Sequence, residues 1–156
     1  GDGGARAAAA PRGCAGGVPA RRRAPGRAFV SERVLPIFVY GTLKSGESHS
    51  GMLRGLGRQE ARVRGRIYHL PAGYPAIRLG GPDDVIGELV DPPDPRLLTL
   101  LDGYEGVSEG LYQRVVVQCI LGLTTVPAWA WVMDDPVARG GRHLPGGVWT
   151  SQRRRW

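Results

Sequence analysis

Apolar and polar positions alternate along this chain in short runs punctuated by glycine and proline. From Val34 to Tyr40 nearly every side chain is apolar, with Ile, Phe, Val and Tyr at its end. These residues favour extended backbone, so the run predicts a buried strand. It stops at Gly41 and passes into a polar loop bounded by Gly46. Ser48 to Leu56 then predicts a short helix, with Ser48 as its cap and Met52, Leu53 and Leu56 on one face. Gly51, Gly55 and Gly57 weigh against that helix.

Arg62 to Tyr68 alternates with period two, as a strand does when one face is wet and basic and the other small and apolar. Pro71 to Pro75 has the composition of a turn. Ala76–Leu79 and Val85–Val90 follow as two strands, the first ended by Gly80-Gly81-Pro82. Asp94 then reads as an N-cap with Pro95 at the first helical position. Leu97, Leu98, Leu100, Leu101 and Tyr104 supply the apolar stripe of that helix, and Gly103 and Gly106 mark its end. Tyr112–Leu121 and Val126–Met133 predict a hairpin through Gly122 to Thr124, with Trp129 and Trp131 on the face opposite Ala128, Ala130 and Val132. Beyond Asp134-Asp135-Pro136 the chain reads as loop. Many short strands with two short helices indicate an antiparallel α+β domain or a small closed barrel, without the strand–helix alternation of a doubly wound sheet.

Length and charge narrow the function. The chain has 156 residues and a formal net charge of +7, which first suggests a nucleic-acid binder. Residues 1–33, however, carry seven arginines against Asp2 and Glu32, and residues 151–156 carry three more. In 34–150 acidic residues outnumber basic ones by one, so no nucleic-acid site is expected in the folded domain. Binding through the arginine-rich ends would be lost on their deletion. Residues 1–33, built of Ala, Gly, Arg and Pro, are expected to form a disordered leader. They bury too little apolar surface to offset the entropy of ordering. The domain is expected over 34–150, with a basic tail at 151–156. Cys14 and Cys119 make neither a disulfide framework nor a zinc spacing. No run is long enough to span a membrane, and the pattern points to a soluble chain in a reducing, cytoplasmic compartment.

Two stretches carry candidate chemistry. A strand that feeds a glycine-bounded loop aims backbone N–H groups at an anionic or polarised oxygen. Gly41 and Gly46 have nucleotide P-loop spacing, but Glu47 stands where the phosphate-pairing lysine belongs, so nucleotide binding is not expected. His49, His69 and His143 are scattered without metal spacing, and no G-x-S-x-G elbow supports a serine hydrolase. Glu105 lies in Leu101-Asp102-Gly103-Tyr104-Glu105-Gly106, directly after an apolar helix and beside bulky Tyr104. Burial and a helix C-terminus both favour the neutral acid, which suits a proton shuttle near neutral pH. The plain alternative is a solvated loop glutamate.

The segment Phe38-Val39-Tyr40-Gly41-Thr42-Leu43 resembles the Tyr-Gly-(Ser/Thr)-Leu signature of the gamma-glutamylcyclotransferase-like family. Its extension Lys44-Ser45-Gly46 is similar to the gamma-glutamylamine cyclotransferase and AIG2-like branch. Further similarities follow in order at Gly65–Tyr68, Tyr74–Ile77, Val85–Leu89, Leu101–Gly106 and Tyr112–Val117. They cover roughly residues 35 to 133. The resemblance implies a small mixed, mainly antiparallel β-barrel of the α+β class, with flanking short helices and a cavity at its mouth. It also implies a small-molecule gamma-glutamyl substrate whose own alpha-amine attacks the gamma-carbonyl, releasing 5-oxoproline. By the same resemblance Glu105 is the catalytic residue, and Tyr40, Gly41, Thr42 and Leu43 bind substrate. Tyr74, Tyr112 and Arg114 are candidate pocket residues, Arg114 as the partner of a carboxylate. Neither metal nor cofactor is expected, nor a membrane partner. Glu109 is the rival carboxylate, and Gly146–Trp149 loosely resembles a late glycine–tryptophan segment of the family. A second reading is a non-catalytic AIG2-like protein that binds a small metabolite in the same cavity.

Overall fold

The computed structural model describes residues 34–151; the expected leader and the tail beyond Ser151 lie outside the described residues. Six strands, β1 (Ile37–Val39), β2 (Arg58–His69), β3 (Pro75–Val90), β4 (Gln113–Leu121), β5 (Thr124–Val132) and β6 (Arg142–His143), form one sheet. Their order is β3-β1-β5-β4-β2-β6, and β3 also pairs with β2, which closes five of the strands into a barrel. The β1–β5 pair is parallel and the others are antiparallel. The one α-helix among the described residues, α1 (Pro95–Tyr104), lies between β3 and β4 in the chain.

Two cores share the strands. Inside the barrel Phe38, Ile67, Ile77, Val85 and Cys119 pack with Ala128, Ala130 and Val132. A second cluster joins Ile37, Val39, Leu53, Val90, Leu101, Trp131 and Met133. Successive strand residues point to opposite faces, so β1 sends Phe38 into one core and Ile37 and Val39 into the other. That double burial accounts for the unbroken apolar run, although only three of its residues are strand. Likewise, Ala128, Ala130 and Val132 enter the barrel while Trp129 and Trp131 face the second core, as the alternation predicts.

Helix α1 begins as expected: the Asp94 side chain accepts from Leu97 N at 2.8 Å, and Pro95 opens the helix. Leu101 is fully buried, but Leu100 is 64% exposed and does not belong to the packed stripe.

Three expectations change. The helix expected over 48–56 is a single 3-10 turn, Ser50–Leu53, preceded by His49 and without a side-chain cap; the glycines limit it, Gly55 having a φ of 88°. The strands expected at 76–79 and 85–90 are one strand, β3. Gly80 and Gly81, at φ 98° and 89°, let it bulge, so that Arg64 pairs with Asp84 and the next residue, Gly65, with Leu79. Finally, the stretch after Pro136 contains a 3-10 turn at Val137–Arg139 and β6, which pairs with Tyr68 and His69.

Close strand packing at Gly87 leaves no room for a side chain. A Cβ there would lie 2.3 Å from the Val39 carbonyl oxygen and 2.8 Å from the Phe38 ring. Gly87→Ala should therefore destabilise the fold by about 1–3 kcal/mol. Gly103→Ala, in α1 with no neighbour within 4 Å, should be neutral or stabilising by about 0.5–1 kcal/mol. Urea unfolding of both variants checks the contrast.

Candidate active site

The end of β1 delivers the chain to the loop Gly41–His49. A Cβ on Gly41 would fall 2.6 Å from the Pro75 ring, so glycine is needed for the loop to lie against the start of β3. The loop is closed by Lys44 N donating to the Gly41 carbonyl at 3.0 Å and His49 N to the Thr42 carbonyl at 2.9 Å. Beneath it, Arg58 on β2 donates to the Leu43 carbonyl at 2.9 Å and to Glu88 at 2.7 Å, and Glu88 accepts from Ser45 N at 2.9 Å. These charge-assisted bonds hold Glu88 below the usual carboxylate range despite its partial burial. On another side Lys44 Nζ donates to the Trp149 carbonyl at 2.6 Å, and the Trp149 indole donates to His69 at 3.0 Å. Among the described residues, no turn or loop hydrogen bond is donated by the N–H of Gly41, Thr42 or Leu43.

Opposite stands the end of α1. Glu105 is its C-cap, and its own N–H bonds the Leu101 and Gly103 carbonyls. Desolvation, aided by the negative charge of Asp102, raises the Glu105 carboxyl to about 7. The negative end of the helix works in the same direction. Tyr104 reaches back across the mouth, its hydroxyl 2.6 Å from Thr42 Oγ1 and its ring 4.9 Å from that of His49.

Between these elements lies a cavity of about 540 Å³. Tyr40, Gly41, Thr42, Leu43, Tyr74, Glu105 and Tyr112 all line it, so seven of the eight residues expected at the site come together. The Tyr112 hydroxyl donates to the Pro75 carbonyl and that of Tyr40 to the Trp131 carbonyl, the latter at 2.7 Å. Burial pushes both phenols well up, so they remain neutral donors. Arg114 is not among the lining residues. It does pair a carboxylate, but the carboxylate is Asp102, at 2.9 Å, and its guanidinium lies 4.3 Å from the centre of the Trp129 ring. Glu109 is exposed and does not line the cavity.

Tyr104, expected as a bulky wall beside Glu105, does line the cavity, whereas the sequence reading missed His49, Trp131, Trp149 and Ser151 as wall residues. Trp131 carried a usable signal, since it shares a strand face with Trp129. His49 carried none, since a loop conformation brings it to the mouth. Among the described residues no group of three or more His, Cys, Asp or Glu side chains converges as metal ligands would. No helix among them is long and apolar enough to cross a membrane.

With barrel, loop and buried carboxyl in view, comparison with known proteins gives a consistent result. The family model described as gamma-glutamyl cyclotransferase, AIG2-like, matches residues 37–151, and the chain belongs to that family. Curated protein sequences return no match. Among solved structures, the chain is similar to an AIG2-like protein from Mus musculus, with 21% identity and a TM-score of 0.63. That alignment covers 76% of this chain and 90% of the mouse one. It is also similar to an uncharacterized protein from Pyrococcus horikoshii, at 20% identity and a TM-score of 0.61, covering 78% of this chain and 94% of that one. A third likeness, to YkqA from Bacillus subtilis, has 21% identity and a TM-score of 0.59, covering 74% of this chain and only 39% of YkqA. These likenesses establish a shared fold.

The environment of Glu105 has a consequence for stability. Its folded value of about 7 lies above the unfolded value of 4.5, so the native state favours the protonated acid. Below about pH 4.5 both states are neutral and nothing is lost. As pH rises towards and through about 7, the unfolded chain ionises first and native stability falls by on the order of 3 kcal/mol. Glu105→Gln removes this titration. The difference in unfolding free energy between variant and parent should therefore shift by that amount, in favour of the variant, between pH 4 and pH 8. Parallel pH dependence in the two proteins would mean an ordinary carboxyl.

Proposed function

We propose that this chain is a gamma-glutamyl cyclotransferase acting on a small gamma-glutamyl amide or amine. The observation that carries the reading is a half-buried carboxyl, held near neutrality, in the same cavity as the loop Tyr40–Leu43.

The chemistry asks little of the protein beyond shape and proton transfer. The substrate's alpha-amine and gamma-carbonyl belong to one molecule, and folding it into a near-attack shape exploits effective molarities of roughly 10⁵–10⁸ M. Backbone N–H groups of Gly41, Thr42 and Leu43 hold the alpha-carboxylate or the gamma-carbonyl oxygen, where negative charge develops as the ring closes. Attack forms the new carbon–nitrogen bond and a tetrahedral centre. Glu105 takes the proton from the attacking nitrogen and returns one to the leaving nitrogen, whose bond to carbon then breaks. The products, 5-oxoproline and a free amine or amino acid, contain all the atoms of the substrate, so no water is consumed. A group titrating near 7 exists in both forms at neutral pH and serves both transfers.

Incubation with a panel of gamma-glutamyl amines, amino acids and peptides should release 5-oxoproline from at least one of them. Glu105→Gln should lower that turnover by about 10²–10⁴-fold while the protein remains folded. A folded variant with parental turnover would remove Glu105 from the mechanism. Saturable binding without 5-oxoproline from any compound would instead favour the non-catalytic metabolite-binding reading.

A further inference from the structure

Asp102 stands behind the cavity wall and is bound more tightly than a surface carboxylate needs to be. One oxygen, Oδ1, accepts from Arg114 Nε at 2.9 Å and from the Trp131 indole N–H at 2.9 Å. Trp131 is 2% exposed and lines the cavity, and its carbonyl accepts from the Tyr40 hydroxyl. Asp102 and Glu105, three residues apart at the end of α1, lie on neighbouring positions of one helix side. A single tryptophan thus bonds the helix that carries the acid through its ring, and the strand end that opens the loop through its backbone.

We propose that Asp102 is a positioning residue: it ties the end of α1 to Trp131, and through Trp131 to Tyr40, so that Glu105 and the substrate loop keep one register. The proposal deepens the cyclotransferase reading and rests on it. Its second arm is electrostatic. The Asp102 charge lies close enough to Glu105 to favour its protonated form, and Arg114 partly offsets that charge. Tyr40, Tyr104 and Tyr112 also interact with Glu105 but stay neutral, all three phenols being raised by burial. Arg139 acts on Tyr112, and His49 lines the mouth. Asp102 is therefore the fixed negative charge through which the helix addresses its own acid.

The test reads Glu105 directly, without substrate, by NMR titration of carboxyl-labelled glutamate in the full chain. The parent midpoint should lie near 7. Asp102→Asn keeps an oxygen for both donors but removes the charge, and the midpoint should fall by about one pH unit. Arg114→Gln leaves Asp102 uncompensated, and the midpoint should rise. Either variant fixes a sign, so the test survives if one of them does not fold. With a substrate that the parent turns over, Asp102→Ala should lose about a hundredfold in kcat/KM, because the tie itself is gone. Asp102→Asn should retain the parental KM and shift the pH–rate profile to lower pH. Unmoved midpoints, midpoints moving in one direction, or parental kinetics in folded Asp102→Ala would each overturn the proposal. Opposite midpoint shifts with no 5-oxoproline from any compound would leave the electrostatic hold of Asp102 on Glu105 standing and defeat the cyclotransferase reading.

Discussion

A three-residue strand buried on both faces governs this fold. Ile37, Phe38 and Val39 must satisfy an antiparallel partner, β3, and a parallel one, β5, while their side chains fill two different cores. Buried backbone polar groups need such partners on both sides. A strand so confined cannot tolerate bulk behind it, which is why its neighbour Gly87 has no side chain. It also fixes where the chain leaves the barrel, because Gly41 must pass against Pro75 as soon as β1 ends. The loop's position is a consequence of the barrel's closure and owes little to the loop's own propensity.

The opposite half of the site follows from α1 in the same way. Leu101 anchors the helix in the second core, and the next turn carries Asp102 outward to Arg114 and Trp131 and Glu105 into the cavity. An acid that titrates near neutrality is destabilising in its charged form, and the structure bears that cost through its cores. The loop in turn is fastened from below by Arg58 and Glu88 and from the side by Trp149. Both sides of the cavity are thus tied to the barrel by hydrogen bonds and ion pairs that the cavity itself does not supply.

Much of this was legible in the residues. The period-two alternation of Arg62–Ile67 and of Ala128–Val132 gave strands with the correct faces, although Tyr68, next on the arginine face, is buried, and Asp94-Pro95 located the start of the helix. Motif order identified the family, and pointed to the loop Tyr40–Leu43 and Glu105, which line one cavity. What escaped notice depended on distant contacts. Gly80 and Gly81 look like a strand end, yet pairing with β2 on both sides of them makes residues 80–83 a bulge within β3. Leu100 has the composition of a buried residue, but the helix meets the core along a narrower stripe. Arg114 was rightly expected to meet a carboxylate. That its partner is Asp102 rather than a ligand depends on the start of β4 meeting the last turn of α1 at this ion pair, which no local pattern encodes. Ser48 has no capping role because the turn begins only at Ser50, with His49 at its N-terminal boundary.

The fastening of the loop to Trp149 also bears on how the protein comes into being. The cavity wall draws on residues 38–43, 48–49, 73–75, 104–105, 111–112, 131, 149 and 151, so its pieces are separated by most of the domain's length. The parallel pair joins Ile37 to Trp129, and Lys44 reaches a residue more than a hundred positions later. Contacts of such range close large loops and form slowly. During synthesis the loop Gly41–His49 is made before most of the rest of the cavity, which cannot acquire its final walls until the segment through Ser151 has docked. A nascent or partly folded chain therefore holds the residues of the cavity without the cavity, which exists only in the finished barrel.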